Sequence, residues 1–168
     1  NSLYVVADDE NHLGIFTHDP QVLGVTLSLL EGVLPDGYQE RKMAKPDFEV
    51  LMLLPAFNSY PYGALLALGS GSKSKRRRGV VLGLDESGVI NSPPFIRDGS
   101  YLYKALEKHI SQLNIEGAFI QGEFLYLLQR GNKADDAQNA VIQLSLKKVL
   151  KAIVKEGVVS DKAIIAIQ

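Results

Sequence analysis

Two polar pairs stand at matching places in the chain. Asp47 and Glu49 open the apolar run FEVLMLL, and Asn114 and Glu116 open the run IEGAFI. A carboxylate at the mouth of an apolar strand is costly unless it meets a cation, a metal ion or several hydrogen-bond donors. Clustered oxygen donors suit a hard cation such as calcium, so Glu49, Glu116, Asp47 and Asn114 are the candidate metal ligands. The other reading is that each glutamate bonds backbone amides of a neighbouring segment and locks one sheet to the next, and residue type alone leaves both open. A second feature is the basic run Lys73–Arg78. Arginine offers a bidentate fork to phosphate or carboxylate. Arg77 and Arg78, with Arg130 and Lys45, are therefore the candidates for holding an anionic group. A mobile, solvated hairpin is the plain alternative for such a run.

These residues need a scaffold that brings segments 67 residues apart to one place. The sequence offers an internal repeat. From Glu49 and again from Glu116 the chain runs through an apolar strand, a turn, a second strand, a polar loop and a third strand. The opening SLYVVADDENHLGIFT matches the last two of those strands, and the spacing of about 60–67 residues suits repeat architectures built from small sheets. Strand signals, short β-branched and aliphatic runs bounded by turn formers, fall at 3–7, 13–17, 22–30, 48–54, 64–68, 79–84, 89–96, 115–120, 124–129, 140–146 and 163–167. Helical spacing appears over 101–113, with Asp98 or Ser100 as N-cap, and over 146–154, with Gly157 as the stop.

The expected fold is all-β: a partial β-propeller of about three four-stranded blades with two short helices in the connections. Blade one spans 1–30 and lacks its innermost strand, blade two spans 47–97, and blade three spans 114–168, all in one domain. An α+β domain with the helices packed on one sheet is the alternative. In a propeller the entries to the inner strands and the hairpins between second and third strands share a face. That face would carry Asp8, Asp9, Glu10, Asn11 and His12, then Ser70 to Arg78, then Arg130, Asn132, Lys133, Asp135, Asp136 and Asn139. A closed propeller has at least four blades. The chain, which starts at Asn1 rather than Met, therefore reads as a fragment or as part of an assembly whose missing blades come from a second copy or another segment.

Composition excludes several classes of function. The chain has no cysteine, so thiolate metal sites and disulfides are ruled out, and its net charge of −1 gives no overall attraction to nucleic acid or anionic membrane. Nucleic acid is further disfavoured because no second basic patch or aromatic interleaving accompanies Lys73–Arg78. No apolar run approaches a membrane span. His12, His18 and His109 have no ligand spacing.

The segments KPDFEVL, GSGSKSKRRRG and LNIEGAFI with LYLLQRGN resemble bacterial β-propeller proteins of uncharacterised function, related to the esterase-like phytase and SdiA-regulated propeller superfamily. In that superfamily inner-strand acids serve calcium or substrate, and Glu116-Gly117 is similar to its inner-strand element, whereas Glu49 is followed by Val50. The resemblance implies a calcium-assisted hydrolase of phosphate or carboxylic esters, with Glu49 and Glu116 as the catalytic acids. The alternative is a non-catalytic propeller that binds a small anionic ligand or a protein partner through the same face.

Overall fold

The computed structural model describes residues 2–132, 137–155, 159 and 161–168. Gly157, Lys133, Asp135 and Asp136, named above, lie outside the described residues. Among the described residues eleven strands form three antiparallel sheets, each a meander in chain order. The first holds β1 (Ser2–Val6), β2 (His12–Thr17) and β3 (Val25–Ser28). The second holds β4 (Phe48–Leu54), β5 (Ala64–Gly69), β6 (Arg78–Gly83) and β7 (Phe95–Asp98). The third holds β8 (Ile115–Gln121), β9 (Phe124–Gln129), β10 (Ala140–Ser145) and β11 (Ile164–Ile167).

Two strands are displaced from their expected places for local reasons. The run over 89–96 becomes a strand only from Phe95, because Pro93 and Pro94 cannot donate to the ladder. The run over 22–30 shrinks to β3, leaving Leu23 89% exposed.

Among the described residues three α-helices occur, not two. The expected helix over 101–113 stops at Leu106, giving α2 (Ser100–Leu106), although Ile110 and Leu113 remain buried. Its N-cap is Gly99, with no side-chain cap, rather than Asp98 or Ser100; the Ser100 hydroxyl and then the Ser100 amide, 2.8 Å from Asp98 Oδ1, hold the Asp98 carboxyl below its ordinary range. The expected second helix appears as α3 (Leu146–Val154), burying Leu146, Val149 and Ile153. The third, Tyr38–Ala44, buries no side chain and so carries no apolar period to read; it is α1 in chain order. Among the described residues no helix is long and apolar enough to cross a membrane.

The sheets pack face to face in chain order. Leu13, Leu29 and Leu30 of the first sheet region meet Phe48, Leu65, Ala67, Val80 and Leu82 of the second. The opposite face of the second sheet, with Val50, Met52, Leu54 and Leu66, meets Ile115, Leu125, Leu127, Ile142 and Leu144 of the third, joined by α2 and α3. Burial on both faces explains why β5 and β6 read as continuous apolar runs rather than alternating ones. The first strands of successive sheets lie together, β4 beside both β8 and β1. The starts of β4 and β8, which carry the two polar pairs, are thereby neighbours.

Candidate functional site

Each pair is presented by the same backbone device. In the β4–β5 ladder Phe48 pairs with Gly69 and Val50 with Leu68, so Glu49 is an extra residue in a bulge. In the β8–β9 ladder Ile115 pairs with Gln129 and Gly117 with Leu128, so Glu116 is the extra residue of a second bulge. A bulge releases one side chain from strict alternation and re-aims it. Here it also lets Phe48 and Val50 serve opposite faces of the sheet. Matching backbone bonds reinforce the equivalence: Ser70 N donates to Asp47 O at 2.9 Å, and Arg130 N donates to Asn114 O at 3.0 Å. Simple alternation puts Asp47 and Glu49 on one side; the structure brings them together instead through the bulge and a left-handed backbone at Asp47 (φ 58°), a region aspartate tolerates better than most residues.

Asp47 is the best-satisfied acid of the cluster. It is buried, its Oδ1 lies 2.9 Å from Lys45 Nζ, and its Oδ2 accepts from Ser70 Oγ at 2.5 Å and Arg76 Nη1 at 2.9 Å. Burial pushes its carboxyl upward, but the Ser70 and Lys45 hydrogen bonds and the Arg76 and Lys45 charges outweigh this, and the net shift is downward. Arg76 is held in turn by Ser72 Oγ at 3.0 Å and the Lys42 carbonyl at 2.9 Å. Lys45 also pairs with Asp8 from the β1–β2 hairpin. Burial alone would lower its pKa, but Asp8 and Asp47 raise it above the ordinary lysine value. Oxygens of Asp8, Asp47 and Glu49 lie within 4.8 Å of one another.

At the start of β8, Asn114 Nδ2 donates to Glu116 Oε1 at 2.6 Å, and Arg130 Nη2 approaches the same oxygen at 2.9 Å. The Asn114 backbone amide donates to Gln129 Oε1 at 2.7 Å. Glu49 differs from its neighbours: among the described residues none hydrogen-bonds its carboxyl or forms an ion pair with it. Burial, then repulsion from Glu116, Asp47 and Asp8, pushes that carboxyl up to about 7, against an opposing pull from Lys45. The folded protein therefore holds this proton more tightly than the unfolded chain. The resulting stability is present below about 4.5 and is lost as the pH rises from there to about 7. Glu49→Gln is expected to raise unfolding free energy at pH 8 by about 1–2 kcal/mol, discounted for solvent screening, and much less at pH 5. Urea melts at the two pH values check this, and an equal effect at both would contradict it.

The structure thus brings Glu49, Glu116, Asp47, Asn114, Lys45 and Arg130 to one end of the sheets, where Arg77 and Arg78 follow Arg76 out of the same hairpin. Arg77 pairs with Glu107 just beyond α2, and Arg78 starts β6 opposite Asp98 on β7. The cation of the basic run that does reach the acids is Arg76, turned inward by the 3₁₀ turn Ser74–Arg76. Asp8 and Ser70 are further members of the site; the sequence showed them only as hairpin residues. Both Asp47 oxygens already have partners in Lys45, Ser70 and Arg76, and the Asn114 side-chain amide donates to Glu116. Of the three acids whose oxygens lie within 4.8 Å of one another, Asp8, Asp47 and Glu49, Glu49 is the one without a hydrogen-bond or ion-pair partner among the described residues.

Residues 1–168 match a family of unknown function, DUF6929, and the chain belongs to it. No curated protein and no solved structure matches it.

Proposed function

We propose that the three sheets are successive blades of a β-propeller and that the end bearing the two bulges is its ligand-binding face. On that face Glu49 and Glu116 hold a calcium ion, and the protein hydrolyses an anionic ester there. The observation that carries this reading is that Glu49, re-aimed by its bulge toward three other carboxylates, has no hydrogen-bond or ion-pair partner among the described residues. Such a group is relieved by a cation. The bound ion would polarise the scissile group and make its water acidic. This chain's own part is to place the donors and the charges around them. Lys45 and Arg76 fix Asp47, so the start of β4 cannot swing. Arg130, whose side chain is 63% exposed beside Glu116, is placed to receive the anionic end of the substrate and charge developing on it.

A second reading, a non-catalytic face that binds a small anion or a protein partner, is favoured by one observation: Asp47 is already neutralised by Lys45 and Arg76. Calcium separates the two. Under the first reading calcium raises the melting temperature of the protein, and Glu116→Gln abolishes that rise while keeping the calcium-free melt close to that of the parent. Calorimetric titration should give one site per chain. A melting temperature indifferent to calcium removes the hydrolytic reading and leaves the binding one. Turnover of a chromogenic phosphate or carboxylic ester that stops on chelation would complete the case.

A further inference from the structure

A groove of about 530 Å³ opens at the end of the sheets away from the acid cluster. The two polar pairs stand at the starts of β4 and β8. The groove lies at the far end of those strands, where the connection after β4 faces helix α3. One wall carries Phe57. The other is α3 itself, and the β8–β9 turn at Gly122 and Glu123 borders it. The volume falls in the range of about 300–1,000 Å³ usual for small-molecule sites. The groove follows strand ends rather than the face of a sheet, and both of its walls are residues of this chain.

The sequence of α3 sets the chemistry. Leu146, Val149 and Ile153 are buried, and Lys147, Lys151 and the C-cap residue Lys155 line the groove. Helical residues four apart share a face, about 6 Å from one another along the axis. Lys148, off that row, is tied to the Lys162 carbonyl at 2.5 Å. Among the described residues Lys147, Lys151 and Lys155 have no side-chain hydrogen bond or ion pair. Against these three cations the groove sets one acid, Glu123.

This is a costly way to build a helix. Its sequence, LKKVLKAIV, contains no acid to separate the lysines, so like charges a turn apart repel. Two lysines stand in the first turn, where the helix dipole favours an anion, and the N-cap Ser145 makes no capping bond. An anion in the groove relieves each of these costs. Leu146, Leu150 and Phe57 give the same groove an apolar lining.

We propose that this groove binds a small phosphate-bearing ligand with a flat apolar body, a nucleotide in chemical terms. Lys147, Lys151 and Lys155 take the phosphates, and Phe57, Leu146 and Leu150 take the body. The site is separate from the acid cluster, and it stands whether or not calcium binds there.

Calorimetric titration of the wild-type protein with adenosine diphosphate, with chelator present, should give one site. Pyrophosphate carries the charge without the body and adenosine the body without the charge, so each should bind more weakly. Added salt should weaken the diphosphate, since exposed lysines are screened. Lys151→Glu turns an attraction into a repulsion and should weaken binding by about tenfold or more. Lys151 is exposed, so the variant should fold, which circular dichroism checks. An absence of binding overturns the proposal, as does an affinity no better than that of pyrophosphate. A solvated helix face without a ligand would give an affinity untouched by Lys151→Glu, and that also overturns it. Binding lost in Arg130→Ala but kept in Lys151→Glu would place the ligand at the acidic end instead and overturn it too.

Discussion

Arg76→Ala should lower the unfolding free energy by about 3 kcal/mol, the lower end of the cost of breaking a buried ion pair, because Asp47 keeps Lys45 and Ser70. The arginine side chain is 10% exposed and that of Asp47 is 6%. The substitution strips Asp47 Oδ2 of one donor and leaves the Lys42 carbonyl without the Arg76 guanidinium, releasing α1 from the hairpin below it. Arg76→Lys is not expected to rescue the loss, because a single ammonium cannot reproduce a fork that serves Asp47, Ser72 and Lys42 together. Adding Asp47→Asn to Arg76→Ala should recover part of the stability, since a buried carboxylate short of one of its two cations is then gone. Urea denaturation of the wild type, Arg76→Ala, Asp47→Asn and the double variant decides this, and fully additive losses would show that the two residues do not act as a pair. The pair also fixes an acid limit. Asp47 is held below its ordinary value of 3.8, so its contribution is complete above that pH and is lost as the pH falls through the depressed value. The variant should show a weaker acid dependence in that window.

Gly71→Ala is expected to be nearly as damaging, at about 2–4 kcal/mol, for a reason of backbone and space rather than charge. Gly71 has φ of 78°, and a Cβ there would stand 2.3 Å from Tyr103 Cδ1 and 2.5 Å from Cε1. Tyr103 cannot give way, because it is buried and its hydroxyl donates to the Gly69 carbonyl at 2.6 Å. Burial drives its phenol pKa well above the ordinary value. Gly71 follows Ser70, a donor to Asp47, so displacing this loop should also loosen the acid cluster. In a Tyr103→Ala background the ring is gone and the same glycine substitution should cost about 1 kcal/mol, the left-handed strain alone. An undiminished loss in that background would mean that the ring is not the obstacle.

The repeat was legible because it was written in the two currencies a sequence shows well: apolar runs and polar loops. The spacing between Glu49 and Glu116 located two equivalent bulges, even though a bulge itself leaves no mark on composition. The inward arginine was not legible. Lys75, Arg76, Arg77 and Arg78 look alike as a string, and only the short turn at Ser74–Arg76 decides that Arg76 faces Asp47 while Arg77 meets Glu107. Helix α1 escaped because it buries nothing, so no period betrays it; its only signal is a run of good helix formers, Gln39 to Ala44. In α2 the apolar spacing extends to Leu113, but that spacing records burial, and the chain keeps burying Ile110 and Leu113 after the helical bonds have ended.

The doubled residue at the head of β4 and β8 has one more consequence. Because it stands outside the alternation, whatever occupies it can be exchanged without shifting the apolar rows to either side. The positions two residues earlier already differ, an acid in one unit and an amide in the other, while the rows behind them remain filled. A fold built this way uncouples the side chain at the mouth of a strand from the rows that fill the interior.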